Sequence, residues 1–159
     1  MEEQQMYIEM MQRSLKNKIY ALDQLIGLSK IQQQMMKDGM EDADEFDKII
    51  EQKNLMLDEI DKADNGFEQM YSKVGEALKH NKEAYREQIE DMQKMIQELT
   101  EKGVSLQALE KNNKELLGQM MLSERRKIGD FHQSNRIAGL YHNSMTRQQS
   151  GQSYFLNKS

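Results

Sequence analysis

Lys79-His80-Asn81-Lys82 is a polar stretch without Gly or Pro, set between two apolar stripes that keep the same helical phase. Upstream run Phe46, Ile49, Met56, Ile60, Ala63, Phe67, Met70 and Val74, and downstream come Tyr85, Ile89, Met92, Ile96 and Leu99. Spacings of three and four place each set on one helix face. If the chain turns inside the stretch, it forms three helices of nearly equal length. If it runs on, one helix of about 90 Å at 1.5 Å per residue must be covered by two partners end to end. A second candidate break, Gly103-Val104-Ser105, also preserves phase. There Ser105 could cap a helix and Val104 could staple onto Leu109. Length matching favours the turn at 79–82, since helices of roughly 50–60 Å zip together over their whole length.

Working outward, residues 2–37 carry a stripe at Ile8, Met11, Leu15, Ile19, Leu22 and Ile26, widened by Leu25, Leu28, Ile31 and Met35. Asp38-Gly39 should stop this helix, with Gly39 taking the left-handed conformation past its end. Asp42-Ala-Asp-Glu45 has the spacing of a capping box and should open the next. Lys53 falls on the apolar seam between Ile49 and Met56. Asn65-Gly66 is read as helix, because the stripe passes through it in phase and an interior Gly costs only about 1 kcal/mol relative to Ala.

Composition agrees with thin helical layers. The 159 residues include no Pro, Cys or Trp, and 37% are hydrophobic against 31% charged. The mean hydropathy is −0.90. Absence of Cys excludes disulfides, thiolate nucleophiles and Cys-based metal sites. No apolar run approaches the roughly 18 residues of a membrane span. The N-terminus lacks the basic and apolar regions of a signal peptide. A net charge of −5 disfavours nucleic acid as a partner. The fold expected is all-α: an elongated antiparallel three-helix coiled-coil bundle over 1–122. A flexible, partly helical C-terminal tail should follow over 123–159. The tail holds six basic residues against two acidic ones, and its apolar residues come as isolated anchors, which suits a segment that orders on a partner.

The usual chemical motifs are missing. His80, His132 and His142 form no HExxH pattern, and no phosphate-cradling glycine loop or nucleophile elbow occurs. Asp61-Lys-Ala-Asp-Asn-Gly66 resembles a calcium loop only in its Gly, for Ala63 stands where a ligand is needed and Ser72 where Glu should be. The carboxylates are expected to face water, without a concave pocket to shift their pKa. Neither catalysis nor a cofactor or metal is expected. Fourteen Met residues are the oddest number, because Met is flexible and lines surfaces that must fit varied apolar partners.

The run Phe46-Asp-Lys-Ile49-Ile50-Glu-Gln-Lys53-Asn-Leu-Met-Leu57-Asp-Glu-Ile60 resembles the second helix of FlgN-type flagellar export chaperones. Ile60-Asp-Lys-Ala-Asp-Asn-Gly66-Phe67-Glu and Leu106-Gln-Ala-Leu109-Glu110-Lys-Asn-Asn113-Lys114 look like clostridial-type members of that family, as does the ending Tyr154-Phe155-Leu156-Asn157-Lys158. The likeness runs from about residue 6 to the end; the middle, about 66–100, is longer than in most members.

This resemblance implies a cytoplasmic chaperone in type III secretion. Its clients would be the C-terminal amphipathic helices of hook–filament junction proteins, delivered to the flagellar export gate. Client-binding candidates are Leu116, Leu117, Met120, Met121, Ile128 and Phe131. Gate docking in the family uses a C-terminal aromatic, for which Tyr141, Tyr154 and Phe155 are the matching candidates. Two alternatives stay open: a FliT-like chaperone serving the filament cap protein, and a structural coiled coil that homo-oligomerises without a client. Dimerisation of the free protein through its long seam is likewise left open.

Overall fold

The computed structural model describes residues 2–124; of the expected tail, 123–159, all but Ser123 and Glu124 lies outside them. Three helices follow in order: α1 (Glu2–Lys37), α2 (Ala43–His80) and α3 (Arg86–Glu124). Their 36, 38 and 39 residues correspond to about 54–59 Å each at 1.5 Å per residue. The turn between α2 and α3 spans 81–85, overlapping the expected 79–82 only at Asn81 and Lys82 because Lys79 and His80 still belong to α2, and Gly103-Val104-Ser105 runs inside α3. Val104 is 62% exposed, so it does not act as a staple.

The helix ends follow from local chemistry. At the close of α1, the Gly39 N–H donates to the Met36 carbonyl (3.2 Å) and the Met40 N–H to the Met35 carbonyl (2.8 Å). This is the Schellman pair, which needs a left-handed residue past the helix end; Gly39 supplies it with φ 93°. Asp42 caps α2 by accepting the Glu45 N–H at 3.1 Å. At the far end of α2 the Asn81 N–H reaches the Ala77 carbonyl at 2.9 Å. The Ala84 N–H then closes a turn on the Asn81 carbonyl at 3.1 Å.

α1 lies between its two partners and packs against both, while the backbones of α2 and α3 stay apart. Side-chain bonds fix the register. Gln12–Asp91, Asp23–Lys102 and Ser29–Glu110 join α1 to α3, and Gln4–Tyr85 joins it to the residue just before α3, at separations of 79, 79, 81 and 81 residues. A constant separation means that α1 and α3 run parallel. Lys18–Asp64 and Gln32–Lys53 shrink from 46 to 21 residues, so α2 runs antiparallel to α1.

A central helix must bury two faces, and α1 does so. Ile8, Met11, Leu15 and Leu22 are buried as the stripe predicts, with Ile19 and Ile26 half-buried. A second seam, Lys18, Ala21, Leu25, Ser29, Gln32 and Met36, is buried as well. Ile31, expected to widen the first stripe, is instead 49% exposed.

Candidate functional site

Five polar residues from all three helices meet inside the bundle: Ser29 and Gln32 of α1, Lys53 of α2, Glu110 and Asn113 of α3. None is more than 2% exposed. The Lys53 ammonium donates to Glu110 Oε1 (2.7 Å) and to Gln32 Oε1 (2.8 Å). Glu110 also accepts the Ser29 hydroxyl. Asn113 Nδ2 donates to the Ser29 carbonyl at 2.9 Å. Burial lowers the Lys53 ammonium from its ordinary pKa, and the Glu110 carboxylate opposes that pull. A lysine with a lowered pKa is the raw material of amine nucleophiles. This one is sealed from solvent and bonded on two sides, so its geometry suits a structural pin.

Lys18 and Asp64 make a second buried pair at 2.7 Å. Here burial lowers the lysine and raises the carboxyl, each against the attraction of its partner. Among the described residues, no three His, Asp or Glu side chains gather in a way that could hold a metal ion.

The polar layer divides the apolar interior in two. On the side of the α2–α3 turn lies the larger core, from Ile8 and Met11 to Leu99 and Leu106. On the side of the α1–α2 turn lies a smaller one built from Met36, Phe46, Ile50 and Leu117. Half-buried Met35, Met40, Leu116, Met120 and Met121 ring the smaller core. Leu122 beside them is 65% exposed.

Four of the residues singled out from sequence therefore meet at the α1–α2 turn end. Leu116, Met120 and Met121 keep part of their surface in solvent, whereas Leu117 is buried and its side chain is committed to the bundle's own packing. Ile128, Phe131, Tyr141, Tyr154 and Phe155 lie outside the described residues.

A second apolar surface was not legible in the sequence, which led us to expect no concave pocket. Where α2 and α3 diverge near their connecting turn, a cleft of about 630 Å³ opens. Phe67 and Tyr71 of α2 face Ile89, Met92 and Ile96 of α3 across it, and Met11 lines it from α1. The Phe67 and Tyr71 rings stack with centroids 6.3 Å apart. Lys79, Lys82 and Arg86 outnumber Glu83 and Glu90 at its rim. The signal available beforehand was the aromatic pair at an i, i+4 spacing, which reads equally well as core. The partners of Lys53 left a fainter trace, Glu110 and Asn113 on one face of α3 at an i, i+3 spacing.

Fold and surface together define an all-α, antiparallel three-helix bundle with two partly open apolar sites and a buried polar layer. No known protein family, no curated protein and no solved structure matches this chain. Among the described residues, no helix is long and apolar enough to cross a membrane.

Proposed function

We propose that this protein is a cytoplasmic export chaperone of the FlgN type. It holds the C-terminal amphipathic helix of a hook–filament junction protein, prevents its premature assembly, and hands it to the flagellar export gate. The observation that carries this reading is the half-buried ring of Met35, Met40, Leu116, Met120 and Met121 around a small apolar core. Such a surface is apolar enough to shield a helix stripe, and its unbranched thioether side chains adapt to the stripe's shape. The work is binding, with no covalent step. The sequence resemblance to FlgN-type chaperones supplies the class of client.

The structural coiled-coil reading draws less support. Ile8, Met11, Leu15, Leu22 and Leu25 are buried within one chain, so the main seam does not need a second copy to cover it.

Isothermal titration calorimetry tests the proposal. The C-terminal segment of a junction protein from the same genome is titrated into the full chain. Binding at 1:1 with micromolar or tighter affinity is the expected result. Heat with the filament cap protein's segment instead would favour a FliT-like chaperone. Heat with neither segment, from a chain that runs as a stable oligomer, would favour the structural coiled coil.

A further inference from the structure

We propose that the Met-rich end of the bundle is a docking surface for amphipathic helices whose polar flanks are basic. The inference rests on the chaperone reading for its biological client, but the charge and the place it names can be tested without that client.

The apolar part of the surface is the ring around Met36, Phe46, Ile50 and Leu117. It spans from the polar layer at Asn113 to Leu122 on α3, nine residues or about 14 Å at 1.5 Å per residue. That length suits a partner helix of about three turns, presenting anchors at i, i+3 or i+4, and i+7.

Charge selects the partner. Asp38, Glu41, Asp42, Asp44 and Glu45 are exposed around the α1–α2 turn, and Asp47 is half-buried beside Phe46. Lys37 and Lys48 are the basic residues in this stretch. The N-terminus of α2 adds only about half a positive charge through its peptide dipoles. α3 brings Lys111, Lys114 and Glu115, which leaves the end net negative. The opposite end is less acidic, since Lys79, Lys82 and Arg86 stand against Glu83 and Glu90 in the lining of the α2–α3 cleft, with Lys79 paired to Glu76 and Arg86 to Glu90. A basic helix is therefore attracted to the Met-rich end more strongly than to the cleft. Exposed charges act over a Debye length of about 8 Å at physiological salt, so each end keeps its own preference across a bundle of this length.

The test uses the full chain carrying 13C-methyl methionine, and two synthetic amphipathic peptides of about four turns. Both peptides have the same Leu stripe; one has Lys on its polar face and the other Glu. The Lys peptide should bind at least about tenfold more tightly, roughly a 1.4 kcal/mol difference. It should shift the methyl resonances of Met35, Met40, Met120 and Met121, and leave Met11 and Met92 in place. Glu41→Lys combined with Asp44→Lys should lower the Lys peptide's affinity at least about fivefold with the helical circular dichroism unchanged.

Equal affinities for the two peptides would overturn the proposal. So would shifts centred on Met11 and Met92, or spread evenly over all methionines as for diffuse attraction to an acidic chain. The chain's own basic run, Arg125-Arg126-Lys127, is the rival occupant. Shifts at the four methyls caused by reversing those three charges, with no peptide present, would also overturn it. The two readings fail separately. A docked Lys peptide with no heat from any junction-protein segment removes the client, whereas a bound junction-protein segment with Lys-peptide shifts at the cleft removes the surface.

Discussion

The Lys53 ammonium sits 2.7 Å from Glu110 Oε1, joining α2 to α3 where the backbones of those helices do not approach one another. The bond lies in a layer that also holds Gln32 and Ser29 of α1, so one buried cation fixes the relative register of three helices. Taking a charge out of water costs several kcal/mol, which a well-formed pair only roughly repays. What the pair gives is uniqueness. An alignment shifted by one turn would strand Lys53 among apolar side chains.

The first prediction concerns that asymmetry. Lys53→Met leaves Glu110 buried without its cation, and Glu110→Leu leaves Lys53 buried without its anion. Each should lower stability by about 3–5 kcal/mol. The double variant Lys53→Met/Glu110→Leu removes both charges and should be more stable than either single variant. Urea unfolding followed by circular dichroism measures all three, and a double variant as weak as the sum of the singles would refute the account.

Asp64 makes the opposite contribution to acid stability from an ordinary salt-bridged carboxylate. Burial raises its pKa above the ordinary 3.8, and the attraction of Lys18 only partly offsets this. Between the raised value and 3.8 the native state binds more protons than the unfolded chain. Stability from this group therefore rises as pH falls through that window. Compared with Asp64→Asn, which cannot titrate, wild type should gain in urea midpoint as pH drops from about 7 to about 4. A difference that stays flat, or shrinks in acid, would show that the Lys18 attraction dominates.

How much of this could be read beforehand depends on what periodicity measures. The helix count, the stop at Asp38-Gly39 and the start at Asp42 follow from apolar spacing and end chemistry, and the structure has them there. The turn, expected at 79–82 and found at 81–85, is not decided by phase, since its residues neither break nor shift the stripe; equal helix lengths favour it but do not place it to the residue. The second seam of α1 escaped because Lys18, Ser29 and Gln32 interrupt it, and a pattern scored on apolar residues reads them as solvent-facing. Lys53 stood out as a gap in the α2 seam, but its partner Glu110 is 57 residues away and no local rule joins them. The cleft escaped for a different reason. It depends on how far α2 and α3 splay around α1, which is a property of packing that no single helix carries.

Gly39 holds a backbone conformation that disfavours side chains. Its φ of 93° makes the Met40 N–H to Met35 carbonyl bond possible. A Cβ there would meet no atom within 4 Å, so the penalty for adding one is conformational and not steric crowding from neighbours. Gly39→Ala should cost about 1–2 kcal/mol. Gly39→Asn should cost less, because Asn tolerates the left-handed region better. Thermal unfolding of the two variants beside wild type measures this order, and equal losses would point to lost packing instead.

Gly66 lies in the middle of α2, where α1 comes close. A Cβ at this position would lie 3.0 Å from the Ser14 hydroxyl oxygen. Two effects then oppose. Ala in place of an interior helical Gly gains about 1 kcal/mol, while the close contact obliges Ser14 to rotate away or the helices to part. The hydroxyl sits on a single rotor, so the clash is relieved at modest cost and Gly66→Ala alone should change stability by less than about 0.5 kcal/mol. Removing the oxygen as well, with Ser14→Ala, should release the helical gain. The double variant should then exceed the sum of the two single effects by about 0.5 kcal/mol or more, the size of coupling expected of residues in contact. Additive singles would mean that the helices already leave room for a methyl group. A strongly destabilised Gly66→Ala, not rescued by Ser14→Ala, would mean instead that the backbones themselves cannot separate enough to admit it.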